Sequence, residues 1–275
     1  MPNCIPGTSI EIVNSNCPKG PFQAALFDFD GTISLLRQSW QDVMIPMMID
    51  ILQQTGTSES SEQLHEIVEN FVMKLNGKQT IYQMMQLAEE VQTRGAAPLE
   101  PIDYKNQYHD LLWKEVSQRI EQIKQGQQTA ANMCVPQVHV AIECLIERGL
   151  VPYLASGTDL KYVQDEAQLL QVTDYFGTHI YAALDDYKRF SKQMIIQKII
   201  QETGVPGAQI IGFGDGYVEI EEIHKVGGLA IGVASNEETR EGINTWKRTR
   251  LIDAGADLIM ADYREFPTLL NWLNF

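Results

Sequence analysis

The stretch "AALFDFDGTIS" (Ala24–Ser34) gathers apolar residues around two aspartates and turns on a glycine. Its first part reads as a buried strand, and Asp28 and Asp30 stand where that strand would end. One buried carboxylate is costly, and two near each other repel, unless a cation or hydrogen bonds hold them ionised. Alternation along an extended chain predicts both side chains on one face. A divalent cation between them would satisfy both, and an all-oxygen donor set with few protein groups suits Mg²⁺. Asp30-Gly31 alone is also ordinary turn chemistry. Asp28, flanked by Phe27 and Phe29, is the residue that a turn does not explain.

Working outward, residues 36–128 show helical periodicity and no convincing strand. "SWQDVMIPMMIDILQQTG", "SSEQLHEIVENFVMKLNG", "IYQMMQLAEEVQTRG" and "YKNQYHDLLWKEVSQRIEQIKQG" predict a set of helices, the second opening with Ser and Glu at capping-box spacing. Met44, Met47, Met48, Met84 and Met85 read as core of this block or as lining of a substrate pocket. Beyond Val135 the texture changes to helices alternating with short apolar runs: "LVPYLAS", "THIYAAL", "QIIGFGD", "LAIGVAS" and "ADLIMAD". That alternation predicts βαβ units and a parallel sheet covered by helices on both faces. The fold class is therefore α/β, a doubly wound parallel sheet core (residues 1–35 and 129–275) with an all-helical insertion (36–128) after its first core strand. "SIEIV", upstream, reads as a lead-in or edge strand. Such sheets bind ligands beyond the carboxyl ends of their strands, and three of these strands end in "FDFDGT", "ASGTD" and "FGDGYVE".

A formal charge of −15 argues against nonspecific binding to nucleic acid or anionic membrane, both of which want a basic surface. It leaves room for a small anionic ligand, because a metal and a few local cations reverse the field inside one cleft. Cys4, Cys17, Cys134 and Cys144 show no metal or redox spacing and read as free thiols of a reducing compartment. The start carries no signal-peptide pattern and no run approaches a bilayer span, so a cytoplasmic protein is expected. His65, His109, His139, His179 and His224 form no ligand spacing and read as ordinary surface or core residues.

Asp28-Phe29-Asp30-Gly31-Thr32, the strand "YLAS" ending at Ser156, a lysine near a helix start and "GFGDGYVEIEE" follow one another in the order of four motifs. Over residues 24–34 and roughly 136–262 the sequence resembles the haloacid dehalogenase superfamily, phosphatase type, on a Rossmann-like core. The resemblance implies that Asp28 attacks phosphorus to form an aspartyl-phosphate, while Asp30 protonates the leaving oxygen and then takes a proton from water. It implies Mg²⁺ held by Asp28, Asp30 through its backbone carbonyl, and Asp215. Glu219, at a position more often aspartate, would be a further ligand, orient a metal-bound water, or pair with the motif lysine. Gly31, Thr32, Ser156, Gly157 and Lys192 would bind the phosphoryl group. Apart from the resemblance, Ser156 or Thr158 equally suits an N-cap for "DLKYVQ", and Glu219 suits an acidic first turn with Glu221 and Glu222. Lys188 and Lys192 both fit the motif lysine; Lys192 is preferred because it opens an apolar-periodic helix just after Ser191.

The helical insertion resembles a C1 cap, which closes over the site and selects small phosphorylated metabolites. "TRGAAPLEPIDY" (Thr93–Tyr104) is its candidate loop for reaching the site. The implied function is a Mg²⁺-dependent phosphomonoesterase acting on a small phosphorylated metabolite such as a sugar phosphate. The alternatives are a phosphoglucomutase-like phosphotransferase and a catalytically silent binding protein on the same fold.

Overall fold

Short apolar runs bounded by glycine and proline become the strands of one sheet in the computed structural model, which describes residues 2–184 and 190–275. In chain order the elements are β1 (Glu11–Ile12), β2 (Ala24–Phe27), α1 (Gln41–Gln53), α2 (Ser61–Lys74), α3 (Thr80–Thr93), α4 (Pro101–Lys124), α5 (Val138–Glu147), β3 (Val151–Asp159) and α6 (Leu160–Leu169). There follow α7 (Thr173–Phe176), β4 (Ile180–Ala183), α8 (Lys192–Thr203), β5 (Ile210–Gly214), α9 (Tyr217–Lys225), β6 (Leu229–Val233), α10 (Thr245–Asp253), β7 (Leu258–Met260) and α11 (Phe266–Trp272).

The strands form a seven-stranded sheet in the order β1-β7-β6-β5-β2-β3-β4. All neighbours are parallel except β1, a two-residue edge strand antiparallel to β7. From β2 the chain moves outward through β3 and β4, returns to β5 on the other side of β2, and moves outward again through β6 and β7. Strand order thus reverses around β2, where open α/β sheets place their ligand crevice. The continuous apolar run of β2 follows from burial on both faces. Ala25 and Phe27 enter one core layer, Ala24 and Leu26 the other.

Helices α1–α4 share a third cluster of their own, in which Met44, Met48, Leu52, Leu64, Val68, Leu87 and Leu112 are buried. Met47 and Met84 lie in the same cluster. The capping box of α2 joins Ser60 to Gln63 rather than to a glutamate: Ser60 Oγ accepts from the Gln63 N–H (3.3 Å), and Gln63 Oε1 accepts from the Ser60 N–H (2.9 Å). The pattern reading misses α10, a polar helix that buries just Lys247 and Leu251 and so carries no apolar stripe. Among the described residues no helix is long and apolar enough to cross a membrane, and the four cysteines are free.

Candidate active site

Asp28 follows β2 and still holds the sheet register, its N–H donating to the Phe213 carbonyl at 2.9 Å. The chain then turns back on itself, with the Ile33 and Ser34 N–H groups both donating to the Phe29 carbonyl at 2.8 Å. Gly31 adopts φ +73° in that turn, and a β-carbon there would fall inside the contact radius of Asp215 Oδ2. Strand alternation therefore does not carry the pair, as the sequence pattern suggests. The extended run ends at Phe27, and the tight turn delivers Asp30 to the same cavity as Asp28. The cavity measures about 90 Å³. It is lined by Asp28, Asp30, Gly31, Gly157, Thr158, Lys192, Asp215 and Glu237 together with Arg37, Trp40, Met44, the Asn76–Lys78 link, Thr80, Gln83, Tyr108 and His109.

Lys192 is the first residue of α8, a helix capped by Ser191, whose Oγ accepts from the Met194 N–H at 3.1 Å. Its buried ammonium donates to Asp28 Oδ1 (2.8 Å) and Glu219 Oε2 (2.7 Å). Two of its three protons are thereby placed, and the side chain lines the cavity with the third. Burial pushes the Asp28 carboxyl well above the ordinary carboxylate range; Lys192 pulls it down, while Glu219 and Asp215 push it up. Lys188, the alternative, lies outside the described residues.

Asp30 occupies a different environment. Its Oδ2 accepts from Thr158 Oγ1 at 2.8 Å and from Ser156 Oγ at 3.4 Å. Its buried Oδ1 has no hydrogen-bond partner among the described residues; the nearest cation is Arg37, 3.8 Å away and itself bound to the buried Glu166 at 2.6 Å. Burial raises the Asp30 carboxyl, with Arg37 and Thr158 opposing. A carboxyl so placed carries a proton more readily than Asp in water, which suits a general acid. Ser156 and Thr158 do not cap α6, whose N-cap is Asp159 without a side-chain bond. Ser156 instead accepts from the Thr158 N–H at 3.0 Å and lies behind the cavity wall, as does the fully buried Thr32.

Asp28, Asp215 and Glu219 each offer a carboxylate oxygen within 4.8 Å of the others. Both Glu219 oxygens are committed, however: Oε2 to Lys192 and Oε1 to the Gly216 N–H (2.7 Å), as the capping residue of α9. Asp28 keeps one oxygen beyond its bond to Lys192, and Asp215 keeps one beyond its 2.8 Å pair with Lys247. The Asp30 carbonyl accepts no backbone hydrogen bond among the described residues. Around them five carboxylates (Asp28, Asp30, Asp215, Glu219, Glu237) stand with two buried ammonium groups (Lys192, Lys247), since Glu166 balances Arg37. Hard oxygen donors in negative surroundings suit a divalent cation, with Asp28 and Asp215 each offering a free oxygen and Glu219 engaged by Lys192.

No residue of the Thr93–Tyr104 loop lines the cavity; the α2–α3 link Asn76–Lys78 does. Its backbone lies against the strand-end loops, so that a β-carbon on Gly157 would sit 3.1 Å from the Lys78 carbonyl, and one on Gly216 would sit 3.1 Å from Gly77 Cα. His109 is a wall residue rather than an ordinary one, with Nδ1 3.9 Å from Asp159, which Lys105 of α4 binds at 2.5 Å. Sequence reasoning missed Arg37, Glu166, Glu237 and Lys247; a buried charge opposite the aspartates has no local signature in any of their segments.

A family model for haloacid dehalogenase-like hydrolases matches residues 22–227. No curated protein matches the sequence. Among solved structures, a phosphonoacetaldehyde hydrolase-like protein from Oleispira antarctica superposes with a TM-score of 0.59 at 15% identity, covering 94% of each chain. β-Phosphoglucomutase from Clostridium difficile gives 0.58 at 13% identity, over 92% of this chain and 97% of that one. A predicted phosphoglycolate phosphatase from Haemophilus somnus gives 0.57 at 16% identity, over 90% of this chain and 97% of that one. At such identities the superpositions speak for the fold. The family model covers most of the chain, including the turn that bears both aspartates, Lys192 and Asp215, and the chain belongs to the haloacid dehalogenase-like hydrolases.

Proposed function

We propose that this chain is a Mg²⁺-dependent phosphomonoesterase that hydrolyses a small phosphorylated metabolite, such as a sugar phosphate, through an aspartyl-phosphate. The observation that carries this reading is the pairing of two unlike aspartates on one cavity, Asp28 held by Lys192 and Asp30 held by Thr158. Asp28 attacks phosphorus through its carboxylate, which Lys192 holds in place. Asp30, its carboxyl raised by burial, gives its proton to the leaving oxygen and as carboxylate then takes one from the attacking water. Lys192 and the backbone around Gly157 bind phosphoryl oxygens. A bound Mg²⁺ neutralises charge on the phosphoryl group. Helices α1–α4 (residues 36–128) act as a C1-type cap, whose Trp40, Met44 and Tyr108 meet the leaving group. A cavity of about 90 Å³ favours a small substrate. Free cysteines support action in the reducing cytoplasm.

The test is release of inorganic phosphate from a panel of small phosphorylated metabolites, with Mg²⁺ and with EDTA. Asp28→Asn should lower the rate at least about 10³-fold with the fold retained. An isomerised product without phosphate release would instead assign the phosphotransferase reading, which the same two aspartates serve. Equal activity in Asp28→Asn would end the enzymatic reading of this cavity.

A further inference from the structure

The family match ends at residue 227, and beyond it three side chains converge on the turn that bears Asp30. Lys247, in α10, is 5% exposed. Each proton of its ammonium has an acceptor: Asp215 Oδ2 at 2.8 Å, Glu237 Oε1 at 2.5 Å and Ser235 Oγ at 3.2 Å. Ser235 Oγ in turn donates to the Gly31 carbonyl at 2.8 Å. Lys247 does not line the cavity, and none of the phosphoryl chemistry above uses it. Burying an ammonium among carboxylates is an expensive way to seat a helix, because packed apolar side chains of similar volume do so at equal or lower cost. The groups it touches suggest a different purpose.

We propose that Lys247, with Glu237 and Ser235, is a positioning residue for the metal centre. It occupies Oδ2 of Asp215, so that the other oxygen alone faces the cation. Through Ser235 it pins the Gly31 carbonyl, and with it the neighbouring peptide plane that carries the Asp30 carbonyl. This inference rests on the metal-dependent reading above. Charge alone does not explain the arrangement: an ammonium beside a dication repels it, and Glu237 offsets that repulsion. Together the lysine and the glutamate add fixed geometry and no net charge. Partners that orient metal ligands in this way govern affinity by roughly 10–100-fold.

The decisive variant is Lys247→Met/Glu237→Gln, which preserves side-chain volume and net charge while releasing Asp215. Mn²⁺ binding is read from the free-ion signal in electron paramagnetic resonance, alongside circular dichroism and urea unfolding. The wild type should bind Mn²⁺, Asp215→Asn should not, and the double variant should bind about 10-fold more weakly or worse at unchanged fold. Affinity within about twofold of wild type would overturn the positioning role. Should the double variant fail to fold, Ser235→Ala decides, since it removes the hydroxyl that links Lys247 to Gly31 and leaves both carboxylate pairs of Lys247 in place: a loss of about threefold or more supports the proposal, and an unchanged Kd overturns it. A wild type that binds no Mn²⁺ removes the metal-dependent reading and this inference together. Equal binding by wild type and double variant removes the inference alone.

Discussion

Lys192 holds two buried carboxylates at once, and its removal would leave both without a cation. Taking one member out of such a group typically costs about 3 kcal/mol or more, because the remaining charge is left uncompensated. Lys192→Met should therefore lower the urea midpoint markedly, and adding Glu219→Gln should recover part of the loss. Arg37 is the corresponding lever on Asp30. Its guanidinium opposes the rise that burial imposes on the Asp30 carboxyl, so removing it sends that carboxyl further up. Arg37→Met/Glu166→Gln, which leaves neither partner of that ion pair alone, should move the alkaline limb of kcat upward. A limb that stays in place would remove Asp30 from the proton-transfer step. Asp28, Asp30 and Asp215 were legible because each follows a strand end, and Lys192 because it follows a cap. Arg37 and Glu166 were not, since their meeting depends on the packing of α6 against the segment before α1 and leaves no local pattern.

At the scale of elements, regular periodicity announced the helices that have an apolar face, and the continuous apolar runs announced the parallel strands. What escaped was α10, because its inward face consists of a lysine and a leucine. The reach of the helical block escaped too. A long loop with proline and glycine between α3 and α4 looks suited to contact the site, yet the short link between α2 and α3 is the one that packs there. A second tie runs from α4, where Lys105 binds Asp159 at the end of β3. Lys105→Met should loosen that tie and raise KM about fivefold with little change in kcat, read from steady-state rates. A fall in kcat with constant KM would place Lys105 in the chemical step instead.

For the molecule as a whole, the parallel α/β sheet and the helical block after β2 were readable because each level of pattern agreed with the next. Its response to acid was not readable, since it depends on burial. His109 is held down to about 4, first by burial and against the pull of Asp159. Lys105 and Arg37 add to the depression. Folded His109 thus binds a proton less readily than the unfolded chain does. Between the ordinary histidine range near 6.5 and about 4, the unfolded state takes up the extra proton, so stability falls as pH falls. His109→Gln should remove that contribution. The gap between the Tm values of variant and wild type should grow in the variant's favour from pH 7 to pH 5.

The contacts of the Asn76–Lys78 link with Gly157 and Gly216 have a kinetic meaning. The link comes within contact distance of the positions that a β-carbon on either glycine would take. A side chain at Gly157 or Gly216 would therefore push the helical block away from the strand-end loops. Such a variant should change the rate of substrate entry and release more than the chemical step.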